Sequence, residues 1–423
     1  MIESFKLSKS NMKPNRRRFL RTASVSGAVA LVPPSFVRAD SPNIDALEKE
    51  AERPVLDVAG FRGPVIIESV ELLRKGREFF VHVRSTDGAE GISVDNGRAE
   101  ILAPIMKRLV MPYFVGKDAR KLEEHLFGVY REGDNYKLQG LALWCPVAMV
   151  EFAILDLLGR IAGKSIGQLL GGVIRTAVPI YVASGRRDTT PEQEVDYLKG
   201  LIEQSGAKAV KYRVGGRMSR NADASPGRTE KLIPLSRKAL GDRIAIHADA
   251  NSSYDPQHAI PVGRMLEEIG AAFFEEPCPF DDYVATKKVK DALHIPIALG
   301  EQEASQASFR SIIANRVADV IQPDLFYYGG LIRSIRVARM AALSGLPTTA
   351  HLSGGFGFVY MLHFASCTPK IGPWQEYKLG VEKYGKWFDP PLKLHEGEFT
   401  VPRGPGVGIA DPKELLKGTV GVS

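Results

Sequence analysis

Cysteine is scarce in this chain of 423 residues, which holds three: Cys145, Cys278 and Cys367. Their number is odd and their spacings are wide, so the sequence shows neither a disulfide framework nor a zinc-binding pattern. Cys145 and Cys367 stand among apolar residues, which indicates packing in a core rather than redox chemistry. The sequence therefore argues against a disulfide-stabilised fold and against a zinc protein.

Long hydrophobic runs are also missing. No apolar run reaches the roughly 18 to 20 residues of a membrane-spanning helix, so we expect no span in the mature chain. Residues 14–39 instead combine a basic cluster, a short apolar stretch of small residues and a small-x-small end. That pattern is typical of a secretory signal peptide, and the three arginines at 16–18 resemble the twin-arginine type. We predict a signal over residues 1–39, cleavage near Ala39, and an exported, periplasmic protein.

An excess of charge of one sign disappears once that predicted signal is set aside. The full chain holds 56 Lys and Arg against 49 Asp and Glu. Residues 1–39 account for eight of the basic residues and one of the acidic ones, which leaves 48 of each. A formally neutral mature chain gives no support to a nucleic-acid partner.

The first part of the mature chain, residues 62–172, has the pattern of an α+β domain. From residue 64 apolar and polar side chains alternate between turn signals, which predicts a strand pair. Residues 97–131 follow a helical pattern that we expect to break at Met111-Pro112, and residues 146–170 are strongly helix-periodic.

The pattern changes after residue 172, where short apolar segments recur and each precedes an amphipathic helical stretch. Strands that alternate with helices indicate parallel βαβ units, and about eight such units make a barrel. We therefore predict a barrel over residues 173–379. The tail, residues 380–423, is rich in Gly and Pro, and we expect it to pack back on the first domain. The predicted barrel strands are AVPIYVAS, AKAVKYRV, RIAIHADAN, AAFFEEP, IPIALGE, ADVIQPD, LPTTAHL and GPWQEY.

The later barrel segments each end in a polar residue that a plain core strand would not need. Active sites of barrels lie at the C-terminal ends of the strands. Successive polar residues are 23 to 27 residues apart, one βα unit each, so all should reach the same rim. They are Asp249, Glu275, Glu301, Asp324, His351 and Glu376.

Two kinds of chemistry follow from these strand ends. Asp249, Glu275 and Glu301 would repel one another unless neutralised, and a hard divalent cation with oxygen ligands, Mg²⁺ above all, is the natural partner. Asp324 and His351 have the make-up of a general acid/base, because a carboxylate on one imidazole nitrogen raises the basicity of the other. His247 and His363 are predicted to be packing residues.

A pair of cations stands on the second predicted barrel strand, in the stretch AKAVKYRVGG at residues 207–216. Side chains alternate in direction along a strand, so Lys211 and Arg213 should point the same way. Two neighbouring cations on an inward face need an anion beside them.

Together these residues resemble the enolase superfamily, and within it the mandelate racemase–like subgroup. The resemblance covers residues 62 to 420, and it implies an α/β fold: an N-terminal α+β capping domain over a modified TIM barrel, (β/α)7β. It rests on AILDLLGRIAGKSIGQLLGG, the KxR at 211–213, DAN at 249, EEP at 275, GE at 301, QPD at 322 and His351.

The resemblance also implies the role of each residue. Chemistry in this family begins with removal of the proton α to a carboxylate, so a small-molecule carboxylate is the expected substrate, and we expect a homo-oligomer. The implied residues are the Mg²⁺ ligands Asp249, Glu275 and Glu301, the catalytic dyad Asp324 and His351, the substrate-binding Glu376 and Asn251, and the catalytic cations Lys211 and Arg213 in the KxK position.

One residue departs from the family pattern. The second KxK position is usually a lysine base, and the guanidinium of Arg213 is a poor base. We therefore predict a hydro-lyase that uses His351 to dehydrate a sugar acid, an aldonate or aldarate, to a 2-keto-3-deoxy acid. A racemase, epimerase or cycloisomerase stays open, as do a base role for Lys211 and, less favoured, a non-catalytic exported binding protein.

Two segments are candidates for further substrate contacts. Residues 214–229 lengthen the link after the second barrel strand, and their arginines could reach a polyanionic or polyhydroxylated substrate or could form a mobile surface loop. The loop around Thr86 to Asn96 lies where the capping domain would contact the substrate.

Overall fold

A computed structural model describes residues 43–351 and 355–422 of the chain, so the predicted signal over residues 1–39 lies outside the described residues. The strands within this part are β1 (Ile67–Lys75), β2 (Glu78–Ser85), β3 (Glu90–Val94), β4 (Ala177–Ala183), β5 (Ala209–Arg213), β6 (Ala245–Asp249), β7 (Phe273–Glu275), β8 (Ile297–Leu299), β9 (Val320–Ile321), β10 (Gln375–Tyr377), β11 (Leu394–His395), β12 (Glu398–Thr400) and β13 (Val420–Gly421).

Helices connect and cover these strands. The α-helices are α1 (Ile44–Glu52), α2 (Ala99–Ile105), α3 (Met111–Phe114), α4 (Leu122–Arg131), α5 (Leu141–Ala162), α6 (Ile166–Leu169), α7 (Pro191–Ser205), α8 (Arg228–Leu240), α9 (Pro256–Glu268), α10 (Tyr283–Ala292), α11 (Gln306–Ala314), α12 (Leu331–Leu343), α13 (Phe358–Cys367) and α14 (Pro412–Leu416).

The first sheet is antiparallel, in the order β13-β1-β2-β3, and α5 packs across β2 and β3. Gly91 on β3 allows this close packing, because a Cβ atom there would lie 2.2 Å from the carbonyl oxygen of Ala153. The predicted strand pair was therefore incomplete: a third strand, β3, lies inside the segment that we expected to be a loop around Thr86 to Asn96. The hydrophobic face of β3 is covered by α5, and the local sequence pattern did not reveal this packing.

The predicted helix break at Met111-Pro112 was wrong. A π-helical turn, Met106–Val110, joins α2 to α3, and Pro112 stands in the first turn of α3. The Met111 N–H donates to the Met106 carbonyl five residues back, so this wider turn accommodates Pro112, which has no N–H of its own to donate. The helical course ends instead at Val115, whose backbone is extended.

The second sheet is a barrel of parallel strands. Neighbours from β4 to β9 pair in chain order, and β10, the last barrel strand, pairs with β4. The described part of the predicted seventh strand, residues 346–351, forms single bridges rather than a continuous strand, and Thr348 bridges both Ile321 and Ile371. The barrel therefore closes between β9 and β10 through isolated bridges.

The C-terminal tail contacts both sheets. β12 pairs antiparallel with β4 of the barrel and with β11, whereas β13 pairs with β1 at the edge of the first sheet. One hydrophobic core runs from the first sheet through α5 into the barrel, and it includes Val81, Leu155 and Ile246.

Helix α5 is long and apolar enough to cross a membrane by length and composition alone, but most of it is buried inside the protein. Its two buried acids are satisfied by neighbouring segments. Glu151 accepts hydrogen bonds from the backbone N–H groups of Leu331 (2.6 Å) and Ile332 (3.0 Å), at the start of α12. Asp156 accepts from the N–H groups of Ile92 and Val407 and from the Arg160 guanidinium. These acids join α5 to the barrel and to the tail.

Candidate active site

The carboxyl ends of the barrel strands bring the predicted acids together. β5, β6 and β7 pair in parallel so that Arg213 lies beside Asp249, and Asp249 lies beside Glu275. Glu301 follows β8 by two residues. Because the ends of parallel neighbours meet at one edge, the side chains converge at the barrel mouth.

Asp249, Glu275 and Glu301 form a compact group of carboxylates, each buried, whose candidate ligand oxygens all lie within 4.8 Å of one another. Three carboxylate oxygens at this separation repel one another in a buried site. Hard oxygen donors in such a cluster suit Mg²⁺, which binds carboxylates and avoids softer ligands. The donor set therefore fits the predicted cation.

Lys211 is fully buried beside this cluster. Its Nζ lies 2.9 Å from both Glu275 oxygens, 3.3 Å from Oε1 of Glu376 and 3.6 Å from Oδ2 of Asp249. Burial disfavours the charged amine, but Glu275 and Glu376 outweigh it and raise the Lys211 pKa above its ordinary value. In this setting Lys211 is a cation held by carboxylates.

Arg213 points to the same side of β5, because its guanidinium also forms an ion pair with Oδ2 of Asp249. Strand alternation thus places both cations on the inward face, as the sequence predicted. The anions that face Lys211 and Arg213 in the structure are the chain's own carboxylates. Both cations offset the mutual repulsion of the acids.

His351 and Asp324 form the predicted dyad. Nδ1 of His351 lies 2.6 Å from Oδ2 of Asp324, and the other oxygen of Asp324 accepts from the N–H groups of Phe326 and Tyr327, each at 2.7 Å. These contacts hold the carboxylate and turn Nε2 of His351 towards the cavity, 3.1 Å from Oε2 of Glu301. Burial disfavours the imidazolium, but Glu301 and then Glu376 outweigh it and raise the pKa of His351.

Glu376 lies between the cations and the histidine. Its carboxylate oxygens are 3.3 Å from Nζ of Lys211, 3.7 Å from Nζ of Lys378 and 3.8 Å from Nε2 of His351. Burial opposes its ionisation, but the charge of Lys211 in particular outweighs burial and holds the pKa of Glu376 below its ordinary value. Glu376 is therefore an anion that lies close to both the lysines and His351.

Asn251 lies on the cavity wall and is held by Asp249, an acid of the carboxylate cluster. Its backbone N–H donates to Oδ1 of Asp249 at 2.8 Å, and its side-chain amide lies 3.4 Å from Oδ2. Its own Oδ1 accepts from the guanidinium of Arg187 at 2.7 Å, while Arg187 also donates to the Gly215 carbonyl. Arg187 was not predicted, although it stands just after the end of β4 and the strand-end argument could have found it.

Two further residues at the site were not predicted. Gln322, from the QPD motif, donates to Oε2 of Glu275 at 3.2 Å. Glu276 follows Glu275, has a left-handed backbone (φ 41°) and lines the cavity while its side chain is buried. Desolvation, and then the charge of Glu301, raises the Glu276 pKa well above its ordinary value. The motifs EEP and QPD contain both residues, but letters alone do not show which of them faces the cavity.

His247 and His363 are packing residues, as predicted. The His247 ring stacks on Phe273 at 3.9 Å, and burial, followed by the charge of Lys211, lowers its pKa to about 3. His363 lies in α13 with Nε2 3.1 Å from the Val407 carbonyl, and burial lowers its pKa to about 4. Both imidazoles are therefore neutral near pH 7.

A cavity of about 360 Å³ opens over this cluster. The β5–α8 segment contributes to the cavity. Of the lining residues, the one nearest in sequence to the predicted cap loop (Thr86 to Asn96) is Arg98, which lies beyond the end of that loop. The cavity is lined by Arg98, Leu141, Arg213, Arg217, Met218, Asn251, Ser252, Glu276, Phe280, Glu301, Gln302, Tyr327, His351 and Lys378.

Comparison with known proteins agrees with this architecture. Residues 45–171 match the mandelate racemase/muconate lactonizing enzyme N-terminal domain, and residues 193–413 match the enolase C-terminal domain-like family. A D-mannonate dehydratase of Novosphingobium aromaticivorans is 30% identical, over 80% of this chain and 91% of the relative. An arabinonate dehydratase of Saccharolobus solfataricus is 28% identical, over 77% of this chain and 86% of the relative.

A solved structure leads to the same family. It is a mandelate racemase/muconate lactonizing protein from Paracoccus denitrificans complexed with magnesium, 26% identical, with a TM-score of 0.76. The alignment covers 85% of this chain and 99% of that one. The chain therefore belongs to the mandelate racemase/muconate lactonizing enzyme family of the enolase superfamily, with an α+β capping domain over a modified TIM barrel.

Proposed function

We propose that the chain is a Mg²⁺-dependent hydro-lyase that dehydrates a sugar acid to a 2-keto-3-deoxy acid. One observation carries the proposal: His351, oriented by Asp324 at 2.6 Å, is the one imidazole base that faces the cavity among the described residues, while Arg213 fills the second KxK position. A site with one such base suits elimination, which needs a single acid/base group. The named dehydratase relatives support this reading.

Asp249, Glu275 and Glu301 are the residues that would hold the cation. When bound, Mg²⁺ neutralises the acid cluster and polarises the substrate carboxylate, which acidifies the neighbouring C–H bond. Gln322 and Asn251 orient two of these acids through the hydrogen bonds described above. Lys211 adds a fixed positive charge beside the place where negative charge develops.

His351 carries out both proton transfers. Nε2 takes the proton from the carbon α to the carboxylate, and the electron pair of that C–H bond moves into the carboxylate to give an enediolate. The enediolate then collapses and breaks the bond from the β carbon to its hydroxyl, which leaves as water with the proton returned by His351. The resulting enol tautomerises to the 2-keto-3-deoxy acid, so atoms and charge balance.

The alternative is an isomerase that acts through the same enediolate. A racemase that reprotonates the opposite face needs a second base there. Lys211 is held by three carboxylates and Arg213 is paired with Asp249, so neither is set up as that base. NMR in D₂O separates the two reactions, because epimerisation exchanges the α hydrogen without loss of water.

The experiment that tests the proposal is a screen of the purified protein with Mg²⁺ against a library of sugar acids, read out as 2-keto acid. We expect one stereochemical series to react, and His351→Asn to reduce kcat by about a hundredfold or more, since general acid/base groups contribute on that order. Full turnover by His351→Asn would remove the assignment of the base. Mg²⁺-dependent binding of a sugar acid without any turnover would favour the binding protein instead.

A further inference from the structure

The wall of the cavity carries more cations than its own acids account for. Its basic side chains are Arg98, Arg213, Arg217 and Lys378, and its acids are Glu276 and Glu301. Glu301 also belongs to the acid cluster, so it serves the proposed metal. The surplus of positive charge lies on the wall that a bound ligand would contact.

Two of these cations already have carboxylate partners. Arg213 pairs with Asp249, and Nζ of Lys378 lies 3.7 Å from Glu376. Arg98 and Arg217, by contrast, belong to no ion pair within the described part of the chain. Arg98 donates to the phenol oxygen of Tyr327 at 3.2 Å, and its guanidinium lies 5.7 Å from the centre of that ring. The Tyr327 contacts position the Arg98 guanidinium without neutralising its charge.

Both arginines lie further out than the acid cluster. Arg98 and Arg217 are exposed, whereas Lys211 and the three metal-site acids are buried. Arg98 comes from the segment between β3 and α2, and Arg217 from the segment between β5 and α8, so the cap and the barrel each supply one. A ligand whose carboxylate lies at the buried end would therefore direct its other end towards these guanidinium groups.

The size of the cavity limits that ligand. A volume of about 360 Å³ lies at the lower end of the roughly 300–1,000 Å³ typical of small-molecule sites, which suits a chain of a few carbon atoms. A terminal hydroxymethyl group would leave both guanidinium charges without an anion. A second carboxylate would accept charge-assisted hydrogen bonds from them, and guanidinium is suited to carboxylate geometry.

We propose that the substrate is a dicarboxylic sugar acid, an aldarate, whose second carboxylate binds Arg98 and Arg217. This proposal rests on the proposed function for the reaction at the first carboxylate. The two arginines then set specificity for the remote end and take no part in proton transfer.

The test compares matched acids that differ only at the remote end, such as galactarate with galactonate and glucarate with gluconate. We expect kcat/KM to be at least about tenfold higher for the diacid. Arg98→Gln and Arg217→Gln should each lower kcat/KM for the diacid by about 10- to 100-fold, as loss of a charge-assisted contact implies, and should lower it by a much smaller factor for the monoacid, whose remote hydroxyl accepts only an ordinary hydrogen bond. Arg220→Gln is the control, because Arg220 is exposed in the same segment and does not line the cavity.

Several results would overturn the proposal while leaving dehydration in place. Equal kcat/KM for diacid and monoacid would do so, as would an equal loss on both substrates in the arginine variants. A preference for a phosphorylated aldonate over the diacid would overturn the proposal as well, because the remote anion would then be a phosphate and not a carboxylate.

A binding measurement keeps the proposal testable if no sugar acid is turned over. Calorimetry with Mg²⁺ would then compare the same acid pairs. Binding of the diacid at least about tenfold more tightly, with the preference lost in Arg98→Gln or Arg217→Gln, would support the anionic remote end even though the proposed reaction had failed. Equal binding, or no binding of either acid, would overturn it.

Discussion

Two groups of buried carboxylates show how the same residue types serve different ends. Glu151 and Asp156 on α5 accept hydrogen bonds mainly from backbone N–H groups, with Arg160 as an added donor to Asp156. At the barrel mouth, Asp249, Glu275 and Glu301 instead turn oxygen atoms towards one another, and Asp249 and Glu275 also contact buried cations.

The difference lies in what the donors can do. Backbone N–H groups are fixed by secondary structure, so the acids of α5 are satisfied once the chain has folded. The acids at the mouth keep the part of their mutual repulsion that Lys211 and Arg213 do not offset, and the proposed divalent cation would relieve it. Burial of an acid therefore does not identify a functional site, whereas the nature of its partners does.

The largest expected effect is the loss of activity on substitution in the mouth group, the carboxylates Asp249, Glu275 and Glu301. Glu275→Gln removes one of the three charged oxygen donors and replaces one of the two oxygens that accept from Lys211 by an amide nitrogen. We expect activity with Mg²⁺ to fall by about a thousandfold or more, since metal-ion charge stabilisation contributes several kcal/mol. The melting temperature without Mg²⁺ should stay close to that of the wild type, because a buried repulsion is lost. Retention of most of the activity would show that Glu275 is not a ligand.

The reverse pattern, a loss of stability without a loss of activity, is expected for the α5 group, Glu151 and Asp156. Glu151→Ala leaves the N–H groups of Leu331 and Ile332 buried without an acceptor. We expect the free energy of unfolding to fall by about 2–4 kcal/mol, with kcat per folded molecule unchanged. Urea denaturation measures the change. Gly330→Ala should have a similar effect, because its Cβ would lie 1.9 Å from Oε2 of Glu151 and its φ is +109°. If Glu151→Ala lost activity but not stability, the comparison would fail.

A smaller effect is expected for Arg187, which acts on the mouth carboxylate Asp249 indirectly, through Asn251. Arg187→Gln removes the guanidinium that holds the Asn251 amide, and Asn251 in turn contacts Asp249. We expect Mg²⁺ affinity to fall by about tenfold, the lower end of the effect of residues that orient metal ligands. Isothermal titration calorimetry with Mg²⁺ alone provides the readout. Arg186→Gln is the neighbouring control, because that guanidinium lies over the Tyr197 ring. Equal loss in both variants would point to a general change in charge.

A further effect, on stability and not on activity, concerns pH and Glu151 of α5. Burial raises the pKa of Glu151 to about 8 from 4.5. The folded chain then keeps a proton that the unfolded chain releases above pH 4.5, so the stability from Glu151 is full below 4.5 and is lost as pH rises through about 8. Urea denaturation at about pH 5, 7 and 9 should show wild-type stability falling relative to Glu151→Gln. A difference that is constant, or that rises with pH, would contradict this.

Much of the site followed from the spacing of residues. Strand ends recur once per βα unit, so Asp249, Glu275, Glu301, Asp324 and His351 had to reach one rim if the barrel formed. The helix break at Met111-Pro112 and the continuous seventh strand were wrong, and β3 was missed. The missed β3 depends on its packing partner α5 rather than on its own periodicity, whereas Pro112 was taken as a helix breaker although it stands in the first turn of α3.

The amino-acid order by itself determined the family, the strand that carries each acid, and the shared direction of Lys211 and Arg213, because the family motifs, the period of one βα unit and side-chain alternation can all be read from neighbouring residues. The tertiary structure alone decided which groups meet: Arg187 with Asn251, Gln322 with Glu275, and Lys211 with three carboxylates at once. Those contacts depend on distances across the barrel mouth between strands far apart in the chain. Electrostatic interactions fall with distance, so the charge state of Lys211 could be read only once the carboxylates had been placed around it.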